Sequence, residues 1–258
     1  MPIRASTLAE LRNMALQAPR HTPGTVTLDE YTIEYNDALS LYVEIKNIFF
    51  EKIYDVRPVS DRPFIVDGGA HLGIAALYYR LRFPASRIVC FEPDPKVNAM
   101  LRRNLERNGL GDVAVVEAGL SGTDGTAAFL PDSADGGKIV ADDAGAFSIR
   151  TEKLSHHLDG PLDILKLNVE GAELPVLREL EEAGHLRAVQ HIVLEYHGWP
   201  NRPQYLGAIL ETLDRNGFRY LVHDFDKETN PATKPPFYVE PATLWFSLVY
   251  ARNPLWNP

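Results

Sequence analysis

A single cysteine, Cys90, among 258 residues leaves no partner for an internal disulfide. That scarcity suits a reducing compartment, and Cys90 lies inside an apolar run where a thiol serves as core packing. Positive charge is also in short supply: 26 Lys and Arg against 35 Asp and Glu leave a formal net charge of −9. Such a balance argues against non-specific attachment to nucleic acid or to an anionic membrane surface. No apolar stretch nears the ~20 residues that a membrane helix needs. Residues 1–20 carry charges throughout instead of the apolar block of a signal peptide. Repeats and low-complexity tracts are missing too. The expectation is a cytoplasmic protein with neither nucleic acid nor membrane as partner, its oligomeric state left open.

What is present is ample apolar material, 45% of the chain, enough for one full core. Apolar spacing predicts a helix over residues 6–17, and the alternation from Thr25 to Tyr35 around Asp29-Glu30 reads as a hairpin. Leu41, Ile45, Ile48, Phe49 and Lys52 then recur at helical spacing and stop before Pro58. Residues 1–60 are therefore read as an N-terminal cap of helix, hairpin and helix. From 61 to 258 strands and helices alternate, which implies a doubly wound, mainly parallel seven-stranded α/β sheet. The runs Thr126–Leu130, Lys138–Val140 and Phe147–Arg150 suggest a small insertion on the sheet edge. Residues 224–242, long, proline-rich and aperiodic, have the length of a lid or binding loop.

The densest chemical signal begins at Phe64-Ile65-Val66-Asp67-Gly68-Gly69-Ala70-His71-Leu72-Gly73 and continues through Arg87-Ile88-Val89-Cys90-Phe91-Glu92-Pro93. A strand runs into a glycine turn, a helix follows, and a second strand ends in a carboxylate 19 positions after Gly73. In such a βαβ unit the glycines admit a ligand close to the backbone, and the acid accepts from ribose hydroxyls. A pyrophosphate wants G-x-G-x-x-G, yet the middle position here is Ala70. Asp67 beside the turn favours an ammonium or sulfonium over a phosphate. A zwitterionic nucleoside without phosphate fits best, and S-adenosylmethionine is one. The rival ligand is NAD(P), which would make the chain an oxidoreductase. An ordinary tight turn with no ligand is the plain alternative.

Ligands of open α/β sheets gather at the carboxyl ends of the strands. Those ends carry Asp67, Glu92, Glu117, Asn168 with Glu170, Glu195 with His197, and His223 with Asp224. Asp67, Gly68, Gly69, Ala70, Gly73, Glu92, Glu117 and Asn168 are the expected cofactor-binding set, with Glu117 either at the adenine edge or facing solvent. Helix-dipole duty is the competing role for Glu92, Glu170 and Glu173, as is a structural backbone hydrogen bond for His197.

Several of these segments, together with Leu120-Ser121 and Gly125, Leu165-Lys166-Leu167-Asn168-Val169-Glu170-Gly171-Ala172-Glu173 and Leu194-Glu195-Tyr196-His197-Gly198, resemble the FkbM family of S-adenosylmethionine-dependent class I methyltransferases. The resemblance runs in order from about Phe64 to Phe218, and the Lys-x-x-Val-Glu-Gly-Ala-Glu block is its most specific part. His71 stands where relatives often have asparagine, and Asn168 where they usually have aspartate. The resemblance implies O-methylation of a hydroxyl on a small-molecule acceptor, a natural product or a sugar. An alcohol needs a proton acceptor. Glu170, Glu195 and His197 are the expected catalytic residues: His197 as base, Glu195 orienting it, Glu170 positioning the hydroxyl. In a variant, the same three hold a divalent metal ion that acidifies the hydroxyl, with Mn, Fe or Zn preferred over Mg for a set including imidazole. A non-catalytic S-adenosylmethionine-binding module is the remaining alternative.

Overall fold

The computed structural model describes residues 3–131, 137–140, 145–199, 202–224 and 245–256. Helix α1 (Ala5–Gln17) turns Leu11 and Ala15 inward. Strands β1 (Gly24–Leu28) and β2 (Tyr31–Tyr35) form the expected antiparallel hairpin, and Asp29 takes the left-handed conformation (φ 55°) that its tight turn demands. Asp37 caps α2 (Ala38–Ile45) by accepting from Ser40 N, and the helix runs on into a π-helical turn at Lys46–Phe50.

Alternation then begins with β3 (Phe64–Gly68), α3 (Ile74–Arg82), β4 (Arg87–Phe91), α4 (Pro95–Arg107) and β5 (Ala114–Val116). Asp94 caps α4 and Pro95 opens it, a pairing that suits the free amides of a helix start. Next come β6 (Gly119–Leu120), β7 (Gly125–Leu130), β8 (Lys138–Val140) and β9 (Phe147–Glu152). The chain closes with β10 (Leu162–Leu167), α5 (Glu173–Glu182), β11 (Val189–Gly198), α6 (Leu206–Arg215), β12 (Arg219–Asp224) and β13 (Trp245–Arg252).

Seven strands make the central sheet, in the order β12-β13-β11-β10-β3-β4-β5. Four neighbouring pairs are parallel, and β13 runs antiparallel to both β11 and β12. The mainly parallel α/β sheet expected from the repeating units is the one observed. The 119–152 segment forms a four-stranded sheet of its own, β6-β9-β7-β8, where a mere edge insertion was expected.

Adjacent residues of β3 point to opposite faces, and each face has a core. Ile65 packs in one cluster with Leu77 and Leu101, joined by Leu11, Ile33 and Leu41 of the N-terminal segment. Val66 packs in the other with Leu165, Leu177 and Leu213. The stretch expected to act as a lid lies, beyond Asp224, outside the described residues, with Phe237 and Tyr238 in it. Among the described residues no helix is long and apolar enough to cross a membrane.

Candidate active site

From β3 the chain steps to β4 and β5 on one side, and from β10 to β11 on the other. That divergence opens a crevice at the carboxyl ends of β3 and β10, the place where such sheets bind ligands. A cavity of about 500 Å³ lies there. The glycine turn is shaped by close approach: Gly69 has φ 75°, and a Cβ on it would fall 1.8 Å from the Asn168 carbonyl oxygen. Only glycine permits that contact. Gly69 and Ala70 donate to Phe91 O at 3.0 and 2.9 Å, which ties the turn to the end of β4.

Glu92 is buried at that end. Its carboxylate accepts from His71 N at 3.0 Å and Asp94 N at 2.9 Å, one to each oxygen. Burial raises its pKa, an effect that the His71 charge and the two amides only partly oppose. His71 holds φ 46°, strained for a non-glycine residue, and its Nδ1 pairs with Glu44 of α2. Thus α2 and its π-helical extension supply Glu44, Asn47 and Ile48 to the cavity wall. On the opposite side Leu120, Phe129 and Ile149 of the four-stranded sheet line it.

Asp67 is placed differently from the expectation. It is fully buried, does not line the cavity, and pairs with Lys166 Nζ at 2.9 Å. Lys166 lines the cavity and donates to Gly69 O at 2.6 Å. Burial alone would lower its pKa; the Asp67 and Glu195 charges outweigh that and leave it raised. Lys166 carries no functional signal in the sequence by itself; it gains its role because β10 sets it directly beside Asp67 of β3. Gly68 and Gly73 shape the turn without lining the cavity, while Ala70 lines it. Glu117 is exposed, one residue beyond β5, and does not line it; nor do His223 and Asp224 at the end of β12.

The other half of the cavity is built on the ends of β10 and β11. Asn168 lines it with a buried Oδ1 that has no hydrogen-bond partner among the described residues. Glu170, at φ 52°, is the second strained residue in the lining, and its Oε1 lies 3.3 Å from His197 Nε2. His197 stacks on Trp199 at 5.6 Å and meets the Phe246 ring edge-on at 5.2 Å. Burial, aided by the Lys166 charge, drives its pKa down to about 4, so the ring is neutral near pH 7. Glu195, expected to orient His197, accepts a hydrogen bond from Tyr54 OH. Glu173 Oε1 lies 3.9 Å from His197 Nδ1. Glu173 is buried, and burial pushes its pKa up to about 7 against the pull of neighbouring amides.

Among the described residues no group of three or more His, Cys, Asp or Glu side chains is arranged to hold a metal ion. Glu170, Glu195 and His197, weighed above as metal ligands, do not form such a group here, and Glu195 accepts from Tyr54 OH. A zwitterionic nucleoside does fit. The cavity gives it room, the oriented Glu92 carboxylate has lone pairs left for hydroxyl donors, and Asn168 Oδ1, without a hydrogen-bond partner among the described residues, can take an N–H.

Residues 67–220 match the family model described as methyltransferase FkbM domain. The methyltransferase sdnD of Sordaria araneosa is 32% identical, over 75% of this chain and 89% of its own length. The 2-O-methyltransferase NoeI of Sinorhizobium fredii is 27% identical, over 52% of this chain and 63% of its own. A geranyl diphosphate methyltransferase solved in complex with SAM has the same fold at a TM-score of 0.50 and 13% identity, over 83% of this chain and 88% of that one.

Proposed function

The chain belongs to the FkbM methyltransferase family, and from that premise we propose that it is an S-adenosylmethionine-dependent O-methyltransferase acting on a hydroxyl of a small molecule. The family assignment sets aside the oxidoreductase reading. One observation carries the choice of oxygen: a neutral, buried imidazole and a carboxylate 3.3 Å apart, in the cavity that also holds Glu92 and Asn168. The name of the NoeI relative supports the same choice.

When bound, S-adenosylmethionine supplies a methyl group made electrophilic by its sulfonium. The residues have the remaining tasks. Glu92, fixed by two backbone amides, would accept from the ribose hydroxyls, and Asn168 Oδ1 from the ammonium. Trp199 and Phe246 flank His197 and thin the water around the acceptor oxygen. As the new C–O bond forms and the methyl–sulfur bond breaks to leave the neutral thioether S-adenosylhomocysteine, the hydroxyl proton would pass to His197 Nε2. Burial keeps that nitrogen unprotonated beforehand, and the Glu170 carboxylate beside it stabilises the imidazolium that results. Alignment of acceptor and methyl supplies about 7–11 kcal/mol in well-oriented systems, and a general base adds about 10²–10⁴-fold.

Two measurements test this reading. S-adenosylhomocysteine at a hundred times its Kd should stabilise the protein by about 2.7 kcal/mol in a melting assay, with no response to NADH. His197→Ala and Glu170→Gln should each lower kcat by about 10²-fold or more while the cofactor Kd stays put. A rise in Tm with NADH alone, or an unchanged kcat in both variants, would overturn it.

A further inference from the structure

We propose that Glu173 is a positioning residue that sets the Glu170 side chain against His197, a role that rests on the methyl-transfer reading above. As the first residue of α5, Glu173 could be taken for an acid that merely complements a helix dipole. Such acids sit at the surface. Glu173 is only 2% exposed, and its Oε1 accepts from Val169 N at 3.3 Å and from Gly171 N at 3.2 Å. Those are the two amides on either side of Glu170.

The segment so clamped is an unfavourable one. Glu170 stands at φ 52° and Gly171 at φ 103°, two consecutive left-handed residues of which only the glycine is at ease. Space is tight as well, because a Cβ on Gly171 would meet Trp199 Cζ3 at 3.1 Å. Strain of this kind, about 1–3 kcal/mol per residue, persists only where neighbours over-determine the backbone. Two hydrogen bonds to one buried oxygen do so here. The same oxygen lies 3.9 Å from His197 Nδ1, beyond hydrogen-bond reach. A single atom of Glu173 thus fixes the backbone of the residues on both sides of Glu170. A carboxyl is costly in such a site, as its raised pKa reflects, and an apolar residue would pack there without that cost.

The role is one of hydrogen-bond acceptance, so a carboxamide oxygen can fill it. Structures of Glu173→Ala and Glu173→Gln, with kinetics on the same proteins, test this. In Glu173→Ala the Glu170 carboxylate should leave the 3.3 Å contact with His197, and kcat should fall by about 10²-fold, as small misplacements in active sites do. Cofactor Kd should hold, which also reports a folded protein. Glu173→Gln should restore both the contact and most of kcat. Adding Glu173→Ala to Glu170→Gln should cost little more, since the two act in series. An intact contact in Glu173→Ala, or a full multiplicative loss in the double variant, overturns the proposal. If the native protein neither binds S-adenosylhomocysteine nor transfers methyl, the functional reading falls. The structures still decide whether Glu173 places Glu170.

Discussion

Lys166 and Asp67 form a buried ion pair in which each charge depends on the other. Removing one partner strands the second, which typically costs 3–5 kcal/mol, whereas removing both together is far milder. Lys166→Met should lose about that much in chemical denaturation, and Asp67→Asn in the same chain should recover most of it. A single-variant loss below about 1 kcal/mol would contradict the pairing. Glu173 offers a pH-dependent counterpart. Its folded pKa, about 7, lies above the ordinary 4.5. Its contribution to stability is therefore complete below the unfolded value and drains away as pH rises towards 7. Glu173→Gln should match the native protein near pH 4 and exceed it at pH 8, by on the order of 3 kcal/mol. Equal melting profiles across that range would show the carboxyl is not buried as described. At this scale the sequence was partly legible. Glu92, Asn168, Glu170 and His197 stand out as polar residues ending apolar strands. Lys166 does not, because a lysine between Leu165 and Leu167 acquires its meaning only from the strand beside it. The partners of Glu195 and His71 were hidden for the same reason, since Tyr54 and Glu44 come from a segment remote in sequence.

At the scale of elements, one buried polar side chain fastens three of them together. Asn104 of α4 is completely buried and makes three backbone hydrogen bonds: it accepts from Glu34 N at 2.8 Å and donates to Glu34 O at 2.9 Å and Leu72 O at 3.0 Å. One side chain thus links the hairpin, the glycine turn and α4. Asn104→Ala strands those backbone groups at about 1–3 kcal/mol each, so a loss above about 2 kcal/mol is expected in thermal unfolding. Arg103 and Arg107 also reach Glu34, but from the exposed side, 44% and 42% accessible, and removing either should cost under about 1 kcal/mol. The reverse ranking would mean that charge, not buried hydrogen bonding, fastens the hairpin. Helices and inner strands were readable from apolar period alone. The pairing of β6 to β9 was not, because short strands of two to six residues carry too little pattern to declare their partners.

For the whole molecule, the repeated βα units indicate a parallel sheet, and the acids at successive strand ends indicate its working rim. Neither reveals that β13 would enter the sheet between β11 and β12, because an antiparallel strand obeys no crossover rule that fixes its place. That insertion sets a strand from late in the sequence directly against β11. Glu195 and His197 lie on β11, facing Leu248 and Phe246 of β13. While the polypeptide is still leaving the ribosome, β11 has a bare flank and the imidazole lacks one of its aromatic neighbours. Until β13 docks, the edge of β11 that carries Glu195 and His197 stays unpaired on that side.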